Sequence, residues 1–271
     1  MAKITRRNLL GAMASGLLAG ASGAAYSQGC ADDLRVESKV LRLPKWGASG
    51  FRCAVLGDLH MNSPREAERA TRALELVGKH KPDALFLVGD FVDGSGPRIL
   101  PNIKSVLRAV GDLDCPTFAV MGNHDYWTPQ PDRVIEELRS CPLRLLRNET
   151  AVVQGVSIIG VDDSIARRDR YDFFPVTSIA ESSIALLHEP DSVKNMPEHV
   201  ALQLSGHSHG GQICLPMGVP VHTPYGARDY IEGFYPLARV PLYVTRGVGT
   251  TGPNFRLFCP PEVSLLTLEA A

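Results

Sequence analysis

The first half of the chain alternates short apolar runs with segments that repeat at helical spacing. Apolar runs of strand length predict strands over residues 51–56, 84–88 and 116–121. Between the first two runs, Ala70, Leu74 and Val77 recur three and four residues apart, and this spacing predicts a helix over 66–80. Similar patterns predict helices over 99–110 and 132–140. Strands that alternate with helices indicate a parallel sheet covered by helices.

The second half contains more strands and fewer helices. Residues 150–153 and 156–161 flank the turn Gln154-Gly155, a pattern that predicts a hairpin. Further strands are predicted over residues 34–43, 183–187, 200–204, 242–244 and 263–268, the first of them as an edge strand. This distribution indicates a second sheet packed on the first. No linker interrupts the chain after residue 34, so we assign one domain to 51–271 and an N-terminal segment with the first strand to 28–50.

The N-terminus has the layout of a secretory signal peptide. Lys3, Arg6 and Arg7 precede an uncharged run rich in Ala, Gly and Leu over residues 9–26, which small residues follow. The pair Arg6-Arg7 resembles the twin-arginine export signal. We therefore expect residues 1–27 to engage the twin-arginine export machinery, with the protein in the periplasm or on the outer face of a bacterial cytoplasmic membrane. Retention as an anchor stays open, although the run is short for a span of about 20 strongly apolar residues.

Composition narrows the classes of protein only slightly. Hydrophobic residues make up 44% of the 271 residues and charged residues 21%, as is typical of globular proteins. The formal net charge of −1 provides no basic field, so we expect no nucleic-acid partner. The six cysteines form no Cys-x-x-Cys pair, which argues against a zinc ribbon and leaves any disulfide pairing undetermined.

Polar residues of a few chemical types stand at the ends of five predicted strands. In chain order these ends carry Asp58 and His60; Asp90 and Asp93; Asn123, His124 and Asp125; His188; and His207 and His209 within Gly-His-Ser-His-Gly-Gly. Ligands bind outside the carboxyl ends of the strands in open α/β sheets. Each fragment alone is typical of a turn or a helix cap, but their coincidence at five ends predicts one functional site.

These motifs in this order resemble those of the calcineurin-like metallophosphoesterases. The resemblance covers roughly residues 51–263 and rests on Asp-x-His, Gly-Asp-x-x-Asp, Gly-Asn-His-Asp, a single His and Gly-His-x-His. The stretches GHSHGGQ and RGVGTTGPNFRLFCPPE, together with the export signal, resemble the YkuE/YaeI-like bacterial phosphodiesterases. The resemblance implies an α/β fold, a four-layer αββα sandwich of two mixed sheets flanked by helices.

The resemblance also implies a site with two metal ions. The ligands of one ion would be Asp58, His60, Asp90 and His209, and those of the other Asn123, His188 and His207, with Asp90 bridging. Carboxylate and imidazole ligands without thiolate suit manganese, iron or zinc, and we expect manganese first. Two ions about 3.5–4 Å apart would bind the phosphate, and a bridging hydroxide would attack it in line.

Further residues receive roles outside the ligand set. The resemblance makes His124 the group that donates a proton or hydrogen bond to the leaving oxygen, with Asp93 orienting it. Asp125 is expected to hold a ligand histidine, and Arg246 is a weaker candidate for reaching the site. Gly94 and Asp125 stand where the related protein Ser/Thr phosphatases carry phosphate-clamping arginines, which argues against that activity.

The leading hypothesis is a metal-dependent phosphodiesterase. The subgroup resemblance implies lipid-linked or cell-envelope substrates, such as UDP-diacylglucosamine, and peripheral contact with a membrane. Residues 173–175 and 225–235 would provide an apolar wall, with ordinary loop packing as the alternative, and we expect 166–182 to be a surface excursion. A phosphomonoesterase or nucleotidase stays open because two metals bind either substrate. A non-catalytic metal-binding protein would predict a damaged ligand set, whereas this set is complete.

Overall fold

Two mixed six-stranded sheets form the framework of the protein. The computed structural model describes residues 30–47, 50–94, 99–174, 182–252 and 254–271, so the predicted signal peptide over 1–27 lies outside the described residues. In chain order the strands are β1 (Arg35–Leu43), β2 (Phe51–Leu56), β3 (Ala84–Val88), β4 (Thr117–Val120), β5 (Arg144–Leu145), β6 (Glu149–Val153), β7 (Val156–Gly160), β8 (Ser182–Leu186), β9 (Leu202–Ser205), β10 (Cys214–Leu215), β11 (Val219–Pro220), β12 (Gly233–Tyr235), β13 (Leu242–Val244) and β14 (Glu262–Ala270). The first sheet has the order β1-β14-β2-β3-β4-β5 and the second β12-β13-β9-β8-β7-β6, while β10 and β11 pair separately.

The strand pairing confirms the predicted α/β organisation. Strands β2, β3, β4 and β5 run parallel, β14 is antiparallel to β2, and β1 lies at the edge of the sheet beside β14. The hairpin of β6 and β7 turns where Gln154-Gly155 predicted it, with Val153 opposite Val156. Strand β5 has only two residues, too few to show a hydrophobic period, and was not predicted.

Helices cover the outer face of the first sheet. The α-helices are α1 (Pro64–His80), α2 (Ile99–Leu107), α3 (Asn123–Tyr126) and α4 (Pro131–Ser140), and short 3-10 helices span Arg108–Asp112, Pro190–Asn195, His209–Gly211 and Pro216–Gly218. Helix α1 begins with a capping box, in which the Ser63 hydroxyl accepts from the Glu66 amide and the Glu66 carboxylate from the Ser63 amide. Its Ala70, Leu74 and Val77 are buried against the sheet, as their spacing predicted.

The main core lies between the two sheets. Phe86 of β3 and Phe118 of β4 pack with ring centroids 6.1 Å apart, and Leu204 and Tyr243 of the second sheet belong to the same cluster. All five residues of β3 are buried, so this strand is covered on both faces. The two packed sheets and their helical layer confirm the predicted fold class.

The outer face of the second sheet has a different covering from the first. Among the described residues it is covered by the 3-10 helix Pro190–Asn195 and by loops. The helix is short because Pro190 begins it and Pro197 disfavours helical backbone in the residue before it. Phe174 is buried there and stacks on Tyr171 at 5.9 Å. The expected surface excursion over 166–182 is therefore wrong for its aromatic part, while residues 175–181 lie outside the described residues.

The chain offers no obvious membrane-spanning helix in its described part. None of the helices there is both long and apolar enough to cross a bilayer. The six cysteines all fall in the described residues and none is in a disulfide, and Cys53 is a buried apolar residue of β2.

Candidate metal centre

The five predicted strand ends meet at one edge of the two sheets. The loops after β2 and β3 are joined by a hydrogen bond from the Asp58 amide to the Gly89 carbonyl, 2.9 Å. The loop after β9 joins them because the Asp58 carboxylate accepts from the His207 amide at 3.0 Å. The structure thereby brings together every predicted site residue, namely Asp58, His60, Asp90, Asp93, Asn123, His124, His188, His207 and His209.

A first cluster consists of Asp58, His60 and His209. Their ligand atoms all lie within 4.8 Å of one another, and all three side chains are buried. The Nε2 atoms of His60 and His209 are 3.1 Å apart, and His209 Nε2 is 3.5 Å from Asp58 Oδ1. Ligand atoms bonded to one metal at about 2.0–2.2 Å have separations of this size. The cluster therefore fits a single metal ion.

A second cluster consists of Asp90, His188 and His207, again with ligand atoms within 4.8 Å. His188 donates from Nδ1 to the Val88 carbonyl at 2.7 Å, which leaves its Nε2 3.1 Å from Asp90. His207 donates from Nε2 to the Tyr225 carbonyl at 2.8 Å, which leaves its Nδ1 free. Backbone acceptors that fix the outer nitrogen of a histidine are typical of metal ligands.

Asn123, the first residue of α3, carries a buried side-chain amide directly before His124. Its side chain is 1% exposed, and neither its Oδ1 nor its Nδ2 has a hydrogen-bond partner among the described residues. Burying an unpartnered amide costs roughly 1–3 kcal/mol. A metal ion bound by its oxygen would remove part of that cost, in agreement with the ligand role predicted for Asn123.

Asp90 lies between the two clusters. The same oxygen, Oδ2, is 3.1 Å from His188 Nε2 and 3.7 Å from His60 Nε2, so it faces one histidine of each cluster. The other oxygen accepts from the His124 amide at 2.9 Å. This is the geometry expected of a carboxylate that bridges two metals.

The charges in the site also suit metal binding. Burial lowers the pKa of His60 to about 4 and, with the charge of Arg256, lowers the pKa of His209, so both imidazoles are neutral and able to ligate. Burial raises the pKa of Asp58 to about 7, a sign that its carboxylate needs a positive partner. Burial acts in the same direction on Asp90, but the charge of the nearby His188 holds its pKa below the usual range. The neutral imidazoles of the first cluster, together with the buried carboxylates, form a donor set for manganese, iron or zinc.

The backbone at the site is strained. Five ligand residues have positive φ angles, namely Asp58 (53°), His60 (43°), Asp90 (55°), His207 (71°) and His209 (52°). Each such residue costs on the order of 1–3 kcal/mol relative to ordinary conformations. The strain is held by backbone hydrogen bonds between loops, such as the one from the His60 amide to the Asp90 carbonyl at 3.1 Å. Strain at this edge indicates that the loops are positioned for function.

Glycine is required where two loops approach closely. A Cβ atom on Gly206 would lie 2.6 Å from Asp58 Oδ2, and one on Gly122 would collide with Asp90 Oδ1. These two contacts explain the glycines that open the Gly-His-Ser-His and Gly-Asn-His-Asp motifs. Any side chain at either position would push a candidate ligand away from its cluster.

His124 and Asp93 form a pair beside the clusters. His124 Nδ1 is 2.8 Å from Asp93 Oδ1, and the Asp93 amide donates to Asn62 Oδ1 at 2.6 Å. Although burial opposes it, the bond to Asp93 raises the pKa of His124, and the same bond lowers the pKa of Asp93. His124 lies with Asp90, His207 and His209 on the wall of a cavity of about 330 Å³. The pair therefore has the arrangement predicted for it, with the second ring nitrogen of His124 left for a ligand.

Two other expectations are wrong. The Asp125 carboxylate holds no histidine, and instead accepts from the backbone amides of Asp90, Phe91, Val92 and Gly122 at 2.8–3.1 Å. It lies in the first turn of α3, where a carboxylate readily captures amides, and it fixes the loop after β3.

Arg246 does not reach the site. Its guanidinium pairs with Glu37 at 2.8 Å and Glu262 at 2.9 Å, and it also donates to the Pro260 carbonyl. These acidic partners engage the guanidinium, so it is not available to a phosphate at the site. His222 is exposed and lines the cavity beside the metal centre.

Arg256 and Thr251 belong to the site and were not predicted. The Arg256 side chain is completely buried and donates to the carbonyls of Gly249 (2.7 Å), Arg246 (2.8 Å) and His209 (3.1 Å). The Thr251 hydroxyl lies 3.1 Å from His209 Nε2 and 3.3 Å from His60 Nε2. The only sequence signal for either is their place in the glycine-rich stretch 246–256. Arg256 thus ties the His209 loop to the loop that closes over Asp58.

We expect Arg256→Met to destabilise the protein and to weaken metal binding at the first cluster, because buried carbonyls would lose their donor at about 1–3 kcal/mol each. Thermal unfolding and metal titration of the purified variant measure both effects. Arg239→Met is the matched control, since Arg239 also donates to a carbonyl, that of Met196, but is 46% exposed. Equal losses of thermal stability and metal affinity in the two variants would contradict the conclusion that Arg256 holds the loops of the first cluster.

Comparison with known proteins agrees with this geometry. Residues 51–211, more than half of the chain, match the model of the calcineurin-like phosphoesterase family. The chain is 30% identical over 273 residues to the phosphodiesterase YaeI of Escherichia coli (strain K12), covering 98% of this chain and 99% of that protein.

Two further relatives are metallophosphoesterases described as uncharacterized. YkuE of Bacillus subtilis (strain 168) is 28% identical over 289 residues, covering 100% of this chain and 99% of that protein. One from Aquifex aeolicus (strain VF5) is 29% identical over 254 residues, covering 87% and 92%. The resemblance to YkuE and YaeI is confirmed, and the chain belongs to the calcineurin-like phosphoesterase family, as a metallophosphoesterase.

Proposed function

We propose that the protein is a phosphodiesterase with two metal ions, manganese first among the candidates, acting on a diester with an apolar ester group. The observation that carries the proposal is the pair of ligand clusters that share Asp90. A relative named as a phosphodiesterase, similar along almost the whole chain, supports the choice of diesters.

Different residues of the protein would bind the metal ions and protonate the leaving group. Asp58, His60 and His209 would hold one ion, Asn123, His188 and His207 the other, and Asp90 both. When bound, the ions would supply positive charge to the phosphate and an activated water for in-line attack. His124, held at Nδ1 by Asp93, would present its other nitrogen to the cavity and protonate the leaving oxygen there.

The apolar part of the proposal rests on the rim of the cavity. Ile213, Val221 and Pro224 line the cavity together with the histidines. The adjoining β10–β11 hairpin exposes Leu215, Met217 and Val219, Met217 almost completely. No Asp, Glu, Lys or Arg occurs from residue 199 to 227. An uncharged rim beside a charged centre suits a diester whose ester group is apolar, such as one linked to a lipid.

This rim replaces part of the wall expected from the sequence. Phe174 packs inside the outer layer of the second sheet, so it is not available to a substrate, whereas Tyr225 is exposed and its carbonyl holds His207. We further propose export through the twin-arginine machinery and peripheral contact with a membrane outside the cytoplasm, supported by Arg6-Arg7 and by the exposed hairpin.

The first test of the function is hydrolysis of a bis-aryl phosphate against an aryl monophosphate by chelator-stripped protein during Mn²⁺ titration. We expect metal-dependent cleavage of the diester well above that of the monoester. Preference for the monoester would support a phosphomonoesterase or nucleotidase instead. Cleavage of neither by protein with two bound metals would contradict the phosphodiesterase proposal for such substrates and favour a non-catalytic protein.

Asp90→Asn should lose metal and activity together, because a neutral amide cannot balance two cations. Metal content by mass spectrometry after dialysis and the rate of diester hydrolysis measure the two losses. Thermal unfolding in chelator checks that the variant folds. A variant that kept both metals with full activity would show that Asp90 is not shared.

His124→Ala should keep both metals but lose turnover by about 10²–10⁴-fold, the range of general acid catalysis. The loss should be greatest for substrates with poor leaving groups, which need the proton most. A series of aryl diesters with leaving groups of different pKa tests this. Equal losses along the series would count against the proton-donor role.

A further inference from the structure

A second cavity, of about 400 Å³, is dominated by arginine. Its lining consists of Arg139, Arg147, Arg167, Arg168 and Arg170 with Asn148, Glu149, Asp162 and Asp169, and we call it the arginine cavity. Five guanidinium groups face three carboxylates, so the lining has an excess of positive charge. The chain as a whole carries a formal net charge of −1, so this concentration is local.

Three of these arginines keep their charge available. Arg147 pairs with the buried Asp162 at 3.0 Å, and Arg170 pairs with Asp172 at 2.6 Å. Arg139, Arg167 and Arg168 have no carboxylate oxygen within 4.0 Å among the residues that the structure describes. Guanidinium groups in such a cluster repel one another and are stabilised by a shared anion, which they bind through paired N–H donors.

The loop that carries the arginines is fixed in place. The Asn148 side chain accepts from the amides of Asp162 (3.1 Å) and Arg170 (3.0 Å) and donates to the Arg168 carbonyl at 2.8 Å. The Arg168 amide in turn donates to the Asp163 carbonyl at 2.8 Å. A fixed loop loses little further backbone entropy when a ligand binds. A loop of merely solvated charges would not need a side chain that holds three backbone groups.

Tyr126 connects the arginine cavity to the helix that carries His124. Tyr126 lies two residues after His124 in α3, and its hydroxyl donates to Asp162 at 2.6 Å. The Arg168 guanidinium lies 5.6 Å from the centroid of the Tyr126 ring. On the other side, Glu189, directly after His188, accepts from the amide of Ser164 at the start of the same loop. The arginine loop is thus anchored on two segments that also carry residues of the metal centre.

From these contacts we propose that the arginine cavity binds a phosphate group, the second one of a substrate whose phosphodiester lies at the metal centre. The substrates would then be phosphodiesters with a further phosphate on one ester group. The claim that this phosphate belongs to a substrate of the metal centre rests on the proposed function. The affinity of the arginine cavity for phosphate does not depend on metal.

Two aryl diesters that differ by one phosphate test whether the arginine cavity binds a second phosphate of the substrate. They are the p-nitrophenyl ester of thymidine 5′-phosphate and the same compound with a 3′-phosphate. For the compound with the 3′-phosphate, Arg167→Ala/Arg168→Ala should raise KM about tenfold, as expected for lost charge-assisted hydrogen bonds. For the compound without it KM should stay unchanged, and kcat should change for neither. Equal KM changes for the two compounds, or no change, would show that the cavity does not bind a second phosphate of the substrate.

Arg108→Ala is the control for overall charge, because Arg108 is an exposed arginine of the 3-10 helix after α2 and its removal takes away one of the two positive charges lost in the double variant. Arg108→Ala should leave KM for both compounds as in the wild type. If Arg108→Ala raised KM for the compound with the 3′-phosphate by half of the effect of the double variant on a logarithmic scale, only overall charge would matter. That result would overturn the proposal.

Binding of inorganic pyrophosphate to chelator-stripped protein, measured by calorimetry, separates this proposal from the proposed function. We expect one site in the wild type and in Arg108→Ala, and at least tenfold weaker binding in Arg167→Ala/Arg168→Ala. Pyrophosphate binding of this kind without any diester hydrolysis would support the phosphate site and reject the phosphodiesterase. No binding to the wild type, or equal binding to the double variant, would overturn the phosphate site even if diesters are cleaved.

Discussion

The site depends on one buried carboxylate that faces two groups of ligands. Asp90 is 1% exposed, and its Oδ2 lies between His188 of one cluster and His60 of the other. Its other oxygen fixes the start of α3 through the His124 amide, so the same side chain also positions the residue proposed as proton donor. Without Asp90 the two clusters would be separate sites, and His124 would lose the bond that places it beside them.

The fold brings the loops that carry the ligands to the same edge as this carboxylate. Parallel strands bring the loops after β2, β3 and β4 to one edge of the first sheet, and the packed second sheet brings the ends of β8 and β9 to the same place. The loops are held by hydrogen bonds to groups that do not themselves bind metal, chiefly the carboxylate of Asp125 and the guanidinium of Arg256. These contacts balance the strain of five ligand residues with positive φ. An apolar rim lines the cavity of the metal centre, and the arginine cavity is held by two segments that also carry residues of that centre.

The candidate ligands were predictable because each follows an apolar run that becomes a buried strand. Asp58 and Asp90 come two residues after β2 and β3, so the carboxyl edge of the sheet determines where they lie. Arg256 was not predictable, because its partners are carbonyls that only the tertiary structure brings together. The direction of the Asp125 carboxylate depends on the turn of α3, and the arginine cavity depends on Asn148 holding a loop twenty residues away in sequence. The export signal lies outside the described residues and stays a prediction.

The most direct test of the central claim is electron paramagnetic resonance of chelator-stripped protein titrated with Mn²⁺. If the two clusters form one centre through Asp90, two ions will bind per chain, and the spectrum of the loaded protein will be that of a spin-coupled pair. Two ions that give only the spectrum of isolated Mn²⁺, or a titration that ends at one ion per chain, would contradict the shared centre.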